Sequence, residues 1–311
     1  MITIKDVAKE CGVSIATVSR AFTADTVINS DTRKFVIETA ERLGYRPNVL
    51  ARGLKNSKTQ MVGMIIPSID NHFYLDVLKY IECELHNHGY RLTVSFIQYG
   101  VYDEKDALAT IEDSHVDVLI FSPRNTDNRD TIMRMNKNMQ MLQLFTAPYD
   151  EISGIVMDDE YGTELAAEHL ISKGFGRILY VGGDERVAGY YNALVKAGIA
   201  VDDSLVSLDW GITIADAVDL IQRTSPSAIL GIARQAETAW RALTMLKKNN
   251  DIVDIPFVAY DDVNWVKMLD ITAVSHPLEE IAKTVVNYIM KNETDVRKII
   301  KPFLSERSSS K

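Results

Sequence analysis

Thr17, Ser19 and Arg20 lie close together near the start of the chain, and all three side chains can hydrogen-bond to the edges of DNA bases. An arginine presents parallel donors that match the two acceptors of a guanine edge, so Arg20 is the main candidate for reading a base. Such a contact requires a helix that carries these side chains on its outward face. The residues around them must therefore be helical.

Capping residues predict a first helix just before this segment. Thr3 and Asp6 have the spacing of a capping box, so a helix is expected to begin at Ile4. Gly12 is expected to end it, because glycine adopts the left-handed C-cap conformation without strain.

A second helix is expected from Ile15 to Phe22, with Ser14 as its N-cap and Val18 on its buried side. A short helix, a glycine turn and a second helix form a helix-turn-helix, whose second helix is shaped to enter the major groove. A third helix is expected from Asp31 to Leu43 with Ser30 as its cap. Its predicted inner face holds Phe35, Val36, Ala40 and Leu43.

Charge is segregated along the chain. Residues 1–60 carry ten Lys or Arg and six Asp or Glu, a net charge of +4, whereas the whole chain has −9 and the remainder −13. A basic head on an acidic protein suits a partner with dense negative charge at one end only. Helix-turn-helix patterns also occur in small helical domains that never contact DNA, and the charge segregation favours the DNA-binding interpretation.

The composition indicates a large folded protein. The 311 residues are 46% hydrophobic, which is ample for one large or two medium domains. The sequence shows no signal peptide and no apolar run long enough to cross a membrane. Cys11 and Cys83 have no metal-ligand or redox spacing and are expected to be core or half-buried. We therefore expect a soluble cytoplasmic protein without membrane association.

A polar break at residues 56–60 predicts a boundary between domains of residues 1–58 and 59–311. Beyond it, short apolar runs alternate with amphipathic segments, which is typical of a parallel sheet covered by helices on both faces. The series restarts after Asp159, which suggests two lobes, and ligands of such folds bind outside the carboxyl ends of the strands. The predicted strands are 61–66, 90–97, 118–121, 141–145, 155–157, 178–181, 228–232 and 257–260, and the predicted helices include 73–88, 104–114, 159–173, 189–197, 214–223 and 237–249.

Several segments resemble the LacI/GalR family of bacterial transcription repressors. They are Thr3 to Arg20, Leu43-Gly44-Tyr45-x-Pro47-Asn48 and Ala51-Arg52-x-Leu54, with further matches in Asp159-x-Tyr161-Gly162, Tyr260-Asp261-Asp262 and His276-Pro277-x-x-Glu280. The resemblance implies an all-α helix-turn-helix head with a hinge helix, then a two-lobed α/β domain with parallel sheets, like a periplasmic sugar-binding protein. The chain would cross between the lobes three times, and Ile299 to Arg307 would return as an edge strand.

The resemblance also implies double-stranded operator DNA as a partner. Leu54 occupies the position of the leucine with which the family opens a base step at the operator centre. A homodimer is implied, and a tetramer is not expected because the tail after Phe303 has no apolar heptad. The expected DNA contacts are Thr3, Ser14, Ile15, Ala16, Thr17, Ser19, Arg20, Asn29, Ala51, Arg52, Leu54 and Lys55.

A small-molecule effector, a sugar or sugar phosphate held between the lobes, is the second implied partner. A tryptophan face suits the C–H side of a pyranose, while Arg and Asp suit pairs of hydroxyls. The alternative is that Trp210 is core and the charged groups are solvated. The expected effector contacts are Asn71, Phe73, Arg124, Asn125, Arg186, Trp210 and Asp261.

Two departures from the family pattern bear on this effector. The loop from Gly182 to Arg186 is shorter than usual, and Ile232-Ala233-Arg234-Gln235 stands where the family usually has Asn-Asp. These changes leave open a modified or phosphorylated sugar, with Arg234 as an anion contact, or the loss of the effector.

No motif supports catalysis, a metal or a cofactor: there is no Walker loop, no G-x-G-x-x-G after a strand and no H-E-x-x-H. The favoured function is a DNA-binding transcription regulator, a repressor of carbohydrate-utilisation genes controlled by its effector. The alternative is a cytoplasmic sugar-binding protein or an α/β enzyme that does not bind an operator.

Overall fold

The computed structural model describes residues 2–22, 28–45, 59–98, 102–183, 186–249 and 254–311. The chain divides into two compact units, Met1–Gln60 and Met61–Lys311. The predicted boundary after residue 58 lies at the edge of the undescribed segment 46–58. Within the described ranges, no helix has the length and apolar character needed to span a membrane.

Three helices form the first unit, and their ends follow the capping signals. Helix α1 spans Ile4–Cys11, with Thr3 and Asp6 in a reciprocal capping box and Gly12 at φ 64° as its C-cap. Helix α2 spans Ile15–Ala21, and the Ser14 side chain accepts a hydrogen bond from the Thr17 amide. Helix α3 spans Ser30–Leu43. The helix-turn-helix is confirmed.

Two details of α3 differ from the prediction. Asn29 rather than Ser30 is its N-cap, because the Asn29 side chain accepts hydrogen bonds from the amides of Asp31 and Thr32. Phe35 is 52% exposed, whereas Val36, Thr39 and Ala40 are buried. The inner face is therefore rotated away from Phe35.

The second unit contains two six-stranded sheets. The first has the strand order β11-β5-β4-β3-β1-β2, and all its pairings are parallel. Its strands are β1 Met61–Ile66, β2 Arg91–Phe96, β3 Val118–Phe121, β4 Gln140–Phe145, β5 Gly154–Met157 and β11 Arg297–Ile300.

The second sheet has the order β12-β10-β9-β8-β6-β7. It is parallel except that β12 runs antiparallel to β10 at the edge. Its strands are β6 Ile178–Val181, β7 Val206–Ser207, β8 Ala228–Ile232, β9 Phe257–Tyr260, β10 Thr272–Ser275 and β12 Phe303–Ser305. The predicted two-lobed, mainly parallel α/β architecture is confirmed.

Helices connect the strands and cover the sheets. They are α4 His72–Asn87, α5 Glu104–Asp113, α6 Arg129–Asn136, α7 Asp159–Ser172, α8 Val187–Lys196, α9 Ile214–Thr224, α10 Ala233–Lys248, α11 Asn264–Met268 and α12 Leu278–Lys291. Helix α10 was predicted to begin at Glu237 but starts four residues earlier. Cys83, expected to be at least half-buried, is exposed on α4.

The chain crosses between the two sheets three times, as the resemblance implied. It leaves the first sheet after β5, returns after β10 and crosses again after β11. The single edge strand expected for Ile299 to Arg307 is wrong: it is divided into β11 and β12, which lie at the edges of different sheets. Only Lys301 and Pro302 separate them, because Ile300 pairs with Met157 in one sheet and Phe303 with Ser275 in the other.

Candidate functional site

The outward face of α2 carries the side chains expected to contact DNA. Ile15 is 46% exposed and Ala16 and Arg20 are exposed, whereas Val18 is fully buried. An exposed isoleucine on a short helix of a small domain is an apolar surface suited to contact with another molecule. Arg20 lies one helical turn beyond Thr17, which gives its guanidinium the outward direction that base reading needs.

Several of the other expected DNA contacts serve as helix caps. The Thr3 hydroxyl donates to the Asp6 carboxylate at 2.7 Å, and the Ser14 and Thr17 hydroxyls lie 2.9 Å apart. Asn29 caps α3. These side chains hold the ends of the helices that present Arg20. A contact with a phosphate would therefore have to leave the capping hydrogen bonds in place. Ala51, Arg52, Leu54 and Lys55 lie outside the described residues.

The carboxyl ends of several strands from both sheets meet in one cleft of the second unit. Asp70, Asn71 and His72 follow β1, and with Arg234, Asp261 and five neighbouring residues of the second lobe they line a cavity of about 20 Å³. This volume is far below the roughly 300–1,000 Å³ of ligand pockets. The cleft is closed around Asp261 in this structure, so a ligand could bind there only after the lining residues move apart.

A charged cluster lies on the second-sheet side of the cleft. Arg186, at the start of α8, forms an ion pair with Asp159 at 3.1 Å, and their side chains are only 17% and 29% exposed. The Tyr260 hydroxyl donates to Asp159 at 2.9 Å, and the Arg186 guanidinium lies 4.8 Å from the centre of the Tyr260 ring. Burial opposes the positive charge of Arg186, but Asp159, Tyr260 and Asp261 outweigh it and raise the arginine pKa well above its usual value. The cluster holds Arg186 fully charged.

Aromatic rings fill the space next to this cluster. The Phe73 ring centre lies 4.8 Å from that of His276 and 5.3 Å from that of Phe145, and Tyr74 packs on the same phenylalanines. His276 in turn lies 5.6 Å from Tyr260. Since Phe73 begins α4 and His276 follows β10, this contact joins the two lobes directly.

Trp210 is held by hydrogen bonds to its backbone on the second-sheet side of the cleft. Its carbonyl oxygen accepts hydrogen bonds from Arg234 at 2.7 Å and from the buried Gln235 at 3.0 Å. Its ring lies so close to Gly183 that a Cβ there would come within 2.0 Å of it. Trp210 remains 42% exposed, so the alternative that it is a core residue is wrong.

Left-handed backbone conformations recur where strands end at the cleft. Phe145 has φ 74° at the end of β4, Ala233 φ 48° after β8 and Asp261 φ 79° after β9. Such conformations are costly for residues other than glycine, and they cluster at functional sites. The surrounding packing therefore fixes the side chains of these strand ends in place.

The structure brings some of the predicted effector contacts together. Arg186 and Asp261 belong to the charged cluster, and Phe73 packs on His276 next to it. Trp210 lies on the second-sheet side of the cleft, and Asn71, the N-cap of α4, lines the small cavity. Arg124 and Asn125 lie on an exposed loop after β3, where Asn125 is hydrogen-bonded to Asp127 at 2.7 Å. The role of all seven remains a prediction.

Sequence reasoning missed several members of the cluster. Asp159, Tyr260 and His276 were not predicted, although each stands at or just after the carboxyl end of a parallel strand. Their position at strand ends was the feature of the sequence from which a role in the site could have been predicted. Gln235 was noted only as a departure from the family pattern, and it supports Trp210.

Several buried polar atoms of the cleft have no hydrogen-bond partner among the residues that the structure describes. They are Arg186 Nε, Gln235 Oε1, Asp261 Oδ1 and both ring nitrogens of His276, although His276 Nε2 lies 3.3 Å from Asp261 Oδ1 without hydrogen-bond alignment. Buried polar atoms are almost always paired in folded proteins. A donor and acceptors left unpaired in one cleft indicate a site for a ligand with both kinds of group.

A larger cavity of about 640 Å³ also borders Phe73 and His276, between α4, α11 and α12. Its lining includes neither Arg186 nor Trp210 nor Asp261. Volume favours it as a ligand site, and His276, whose ring nitrogens are unpaired, lines it, whereas Asp261 lines the smaller cavity. No group of His, Cys, Asp and Glu in the described ranges is placed to hold a metal ion.

Family comparisons agree with this architecture. The family described as bacterial regulatory proteins, lacI family, matches residues 3–48, and the periplasmic binding proteins and sugar binding domain of the LacI family match residues 59–303. The chain therefore belongs to the LacI family. Among its relatives, catabolite control protein A of Priestia megaterium is 30% identical and regulator RegA of Clostridium saccharobutylicum 29% identical, each over 93% of this chain and 92% of its own length.

Solved structures share the fold over the whole chain. The lac repressor dimer bound to operator and the anti-inducer ONPF gives a TM-score of 0.81 at 23% identity over 99% of both chains. The transcriptional regulator CelR in complex with cellobiose gives 0.67 at 23% identity, over 99% of this chain and 100% of that one. This chain is thus a transcription regulator with the fold that its sequence predicted, and its relatives are regulators rather than enzymes.

Proposed function

We propose that this regulator represses carbohydrate-utilisation genes in the cytoplasm by binding operator DNA as a homodimer. A small effector bearing hydroxyl groups binds between the two lobes and controls operator affinity. The observation that carries the effector site is the set of unpaired buried donors and acceptors on Arg186, Gln235 and Asp261. A sugar hydroxyl can accept from Arg186 and donate to Asp261, because one O–H group plays both roles.

Support for the operator comes from the exposed face of α2 and from the net charge of +4 over residues 1–60. In a dimer, two such helices would enter successive major grooves of a near-palindromic site. The lac repressor dimer, which shares the fold, is described as bound to operator. Sedimentation of the full chain at micromolar concentration tests the dimer, and a stable tetramer would contradict it.

The closed cleft supports a two-state mechanism. A cavity of about 20 Å³ is too small for a sugar, so the effector must prefer a conformation with the sheets further apart or rotated. A coupling of about 1–3 kcal/mol between the effector and operator sites would change operator affinity roughly 5- to 150-fold.

Selection of duplexes from a random-sequence library with the full chain tests the operator, and sugars added to the selected complex test the effector. We expect a near-palindromic sequence to be enriched and a hydroxyl-rich ligand to change its affinity. Enrichment of no sequence would favour the alternative, a sugar-binding protein. Asp261→Asn should weaken the sugar response and leave DNA binding without sugar intact.

Replacing Arg20 with alanine should relax the preference for one base pair in each half-site. Loss of a bidentate contact to guanine costs about 1–3 kcal/mol of binding free energy. Fluorescence anisotropy titrations of the selected duplex and of its single-base variants measure the affinities from which this loss is obtained. Arg42→Ala is the matched control, because Arg42 is held by Glu10 at 2.8 Å in an exposed ion pair. Equal weakening on every sequence would show that Arg20 contacts only phosphate.

A further inference from the structure

Carboxylates outnumber guanidinium groups around the cleft. Among the described residues, the groups that line the small cavity or belong to the charged cluster are four carboxylates and two guanidiniums: Asp70, Asp159, Glu237, Asp261, Arg186 and Arg234. Glu237 is also paired with Arg241, and counting this arginine leaves a net charge of −1, histidines not counted. A closed cleft of this charge has a negative potential, which repels an anionic ligand and is screened only weakly when water is excluded.

Both guanidiniums already have partners within the protein. Arg186 is paired with Asp159 at 3.1 Å, and Asp261 contributes a second negative charge to its surroundings. Arg234 donates to the Trp210 carbonyl at 2.7 Å. A phosphate would need at least one of these arginines to leave its partner, and Asp159 or the Trp210 carbonyl would then keep only one of its two donors.

The unpaired atoms also favour a ligand that can donate protons. Gln235 Oε1 and Asp261 Oδ1 are buried acceptors, and Arg186 Nε is the only side-chain donor without a partner among the described residues of the cluster apart from the His276 ring. A phosphate dianion has acceptors only, so the phosphate group itself cannot satisfy Gln235 or Asp261. Hydroxyl groups satisfy donors and acceptors together.

We infer that the cleft selects a hydroxyl-rich ligand without negative charge and discriminates against phosphorylated sugars. This inference rests on the proposed effector function and narrows its ligand class. It excludes the sugar-phosphate effector and the role of Arg234 as an anion contact, because Arg186 is already paired with Asp159 and Arg234 already donates to the Trp210 carbonyl.

Titration calorimetry of the full chain tests the inference with matched pairs of probes. The pairs are glucose with glucose 6-phosphate, galactose with galactose 6-phosphate and ribose with ribose 5-phosphate, together with inorganic phosphate. We expect any neutral sugar that binds to lose at least about tenfold in affinity when phosphorylated. Tighter binding of a phosphorylated form than of its parent sugar, or binding of inorganic phosphate, would overturn the inference.

Variants with fewer carboxylates should bind phosphate-bearing probes more tightly, and this test does not require the natural ligand to be known. Glu237→Gln removes a carboxylate at the cleft, and Asp159→Asn releases Arg186 from its partner; each should increase the affinity for glucose 6-phosphate or inorganic phosphate several-fold. Asp219→Asn is the matched control for Glu237→Gln, because each acidic residue forms an i,i+4 pair with an arginine on a helix surface. Glu237→Gln also covers the case in which Asp159→Asn does not fold. If a folded variant shows no increase in affinity for either phosphate probe, the charge-based selection is overturned.

The outcomes separate this inference from the proposed function. A regulator whose operator affinity responds to a phosphorylated sugar keeps the proposed function and refutes the inference. A chain that selects no operator refutes the proposed function, while the calorimetry still reports the charge preference of the cleft.

Discussion

Replacing Val18 with aspartate should abolish operator binding by unfolding the head. Val18 is fully buried in a hydrophobic core with only six buried apolar residues in the described part of the head, Val7, Ala8, Val18, Ala21, Val36 and Ala40. A buried and unpaired carboxylate costs several kcal/mol, and a domain of this size has little stability in reserve. The second unit should keep its own melting transition, because it forms a separate compact unit.

Head amide signals in an NMR spectrum and anisotropy on the selected operator measure this effect. Phe35→Ser is the matched control, since Phe35 is 52% exposed on the same three-helix unit. The control should keep dispersed signals and operator affinity. Operator binding by Val18→Asp within twofold of the natural chain would show that Val18 is not essential to the head.

Replacing Arg186 with methionine should destabilise the second unit by about 3 kcal/mol, since removal of one partner leaves a largely buried charge uncompensated. The carboxylates that would lose the compensating charge of Arg186 are those of Asp159 and the neighbouring Asp261. Combining Arg186→Met with Asp159→Asn should restore most of the free energy of unfolding, because a buried ion pair and a well-packed neutral pair are often similar in stability.

Urea denaturation of the two variants and of Arg223→Ala measures this difference. Arg223 is the control, as an arginine 63% exposed in a surface pair with Asp219, and its loss should cost less than about 1 kcal/mol. If Arg186→Met costs no more than Arg223→Ala, the cleft pair is hydrated and contributes little.

Much of the fold could be predicted because its signals are local. Capping residues fix helix ends through hydrogen bonds within three or four residues, which is why Thr3, Asp6 and Gly12 gave the correct helix. The same logic failed at α3, because Asn29 and Ser30 are adjacent and both can cap. Phe35 was placed inward since its apolar side chain matches the helical period, but period alone does not decide which of two neighbouring apolar residues is buried.

The site could be predicted only in part, because its members are distant in sequence. Arg186 and Asp261 came from the family resemblance, whereas their partners Asp159, Tyr260 and His276 required knowledge of which strand ends meet. The division of Ile299 to Arg307 between two sheets was likewise hidden, since an edge strand has the same apolar pattern in either sheet.

Lys301 and Pro302 form a very short connection between the two lobes. The three peptide steps from Ile300 to Phe303 span at most about 11 Å, and the proline ring fixes one of the few torsions in between. The sheets are thus tethered closely at this edge, in addition to the crossings after β5 and β10, and we expect their relative displacement to be smallest here. If a ligand rotates one sheet against the other, we expect the largest displacement at the parts of each lobe furthest from Pro302.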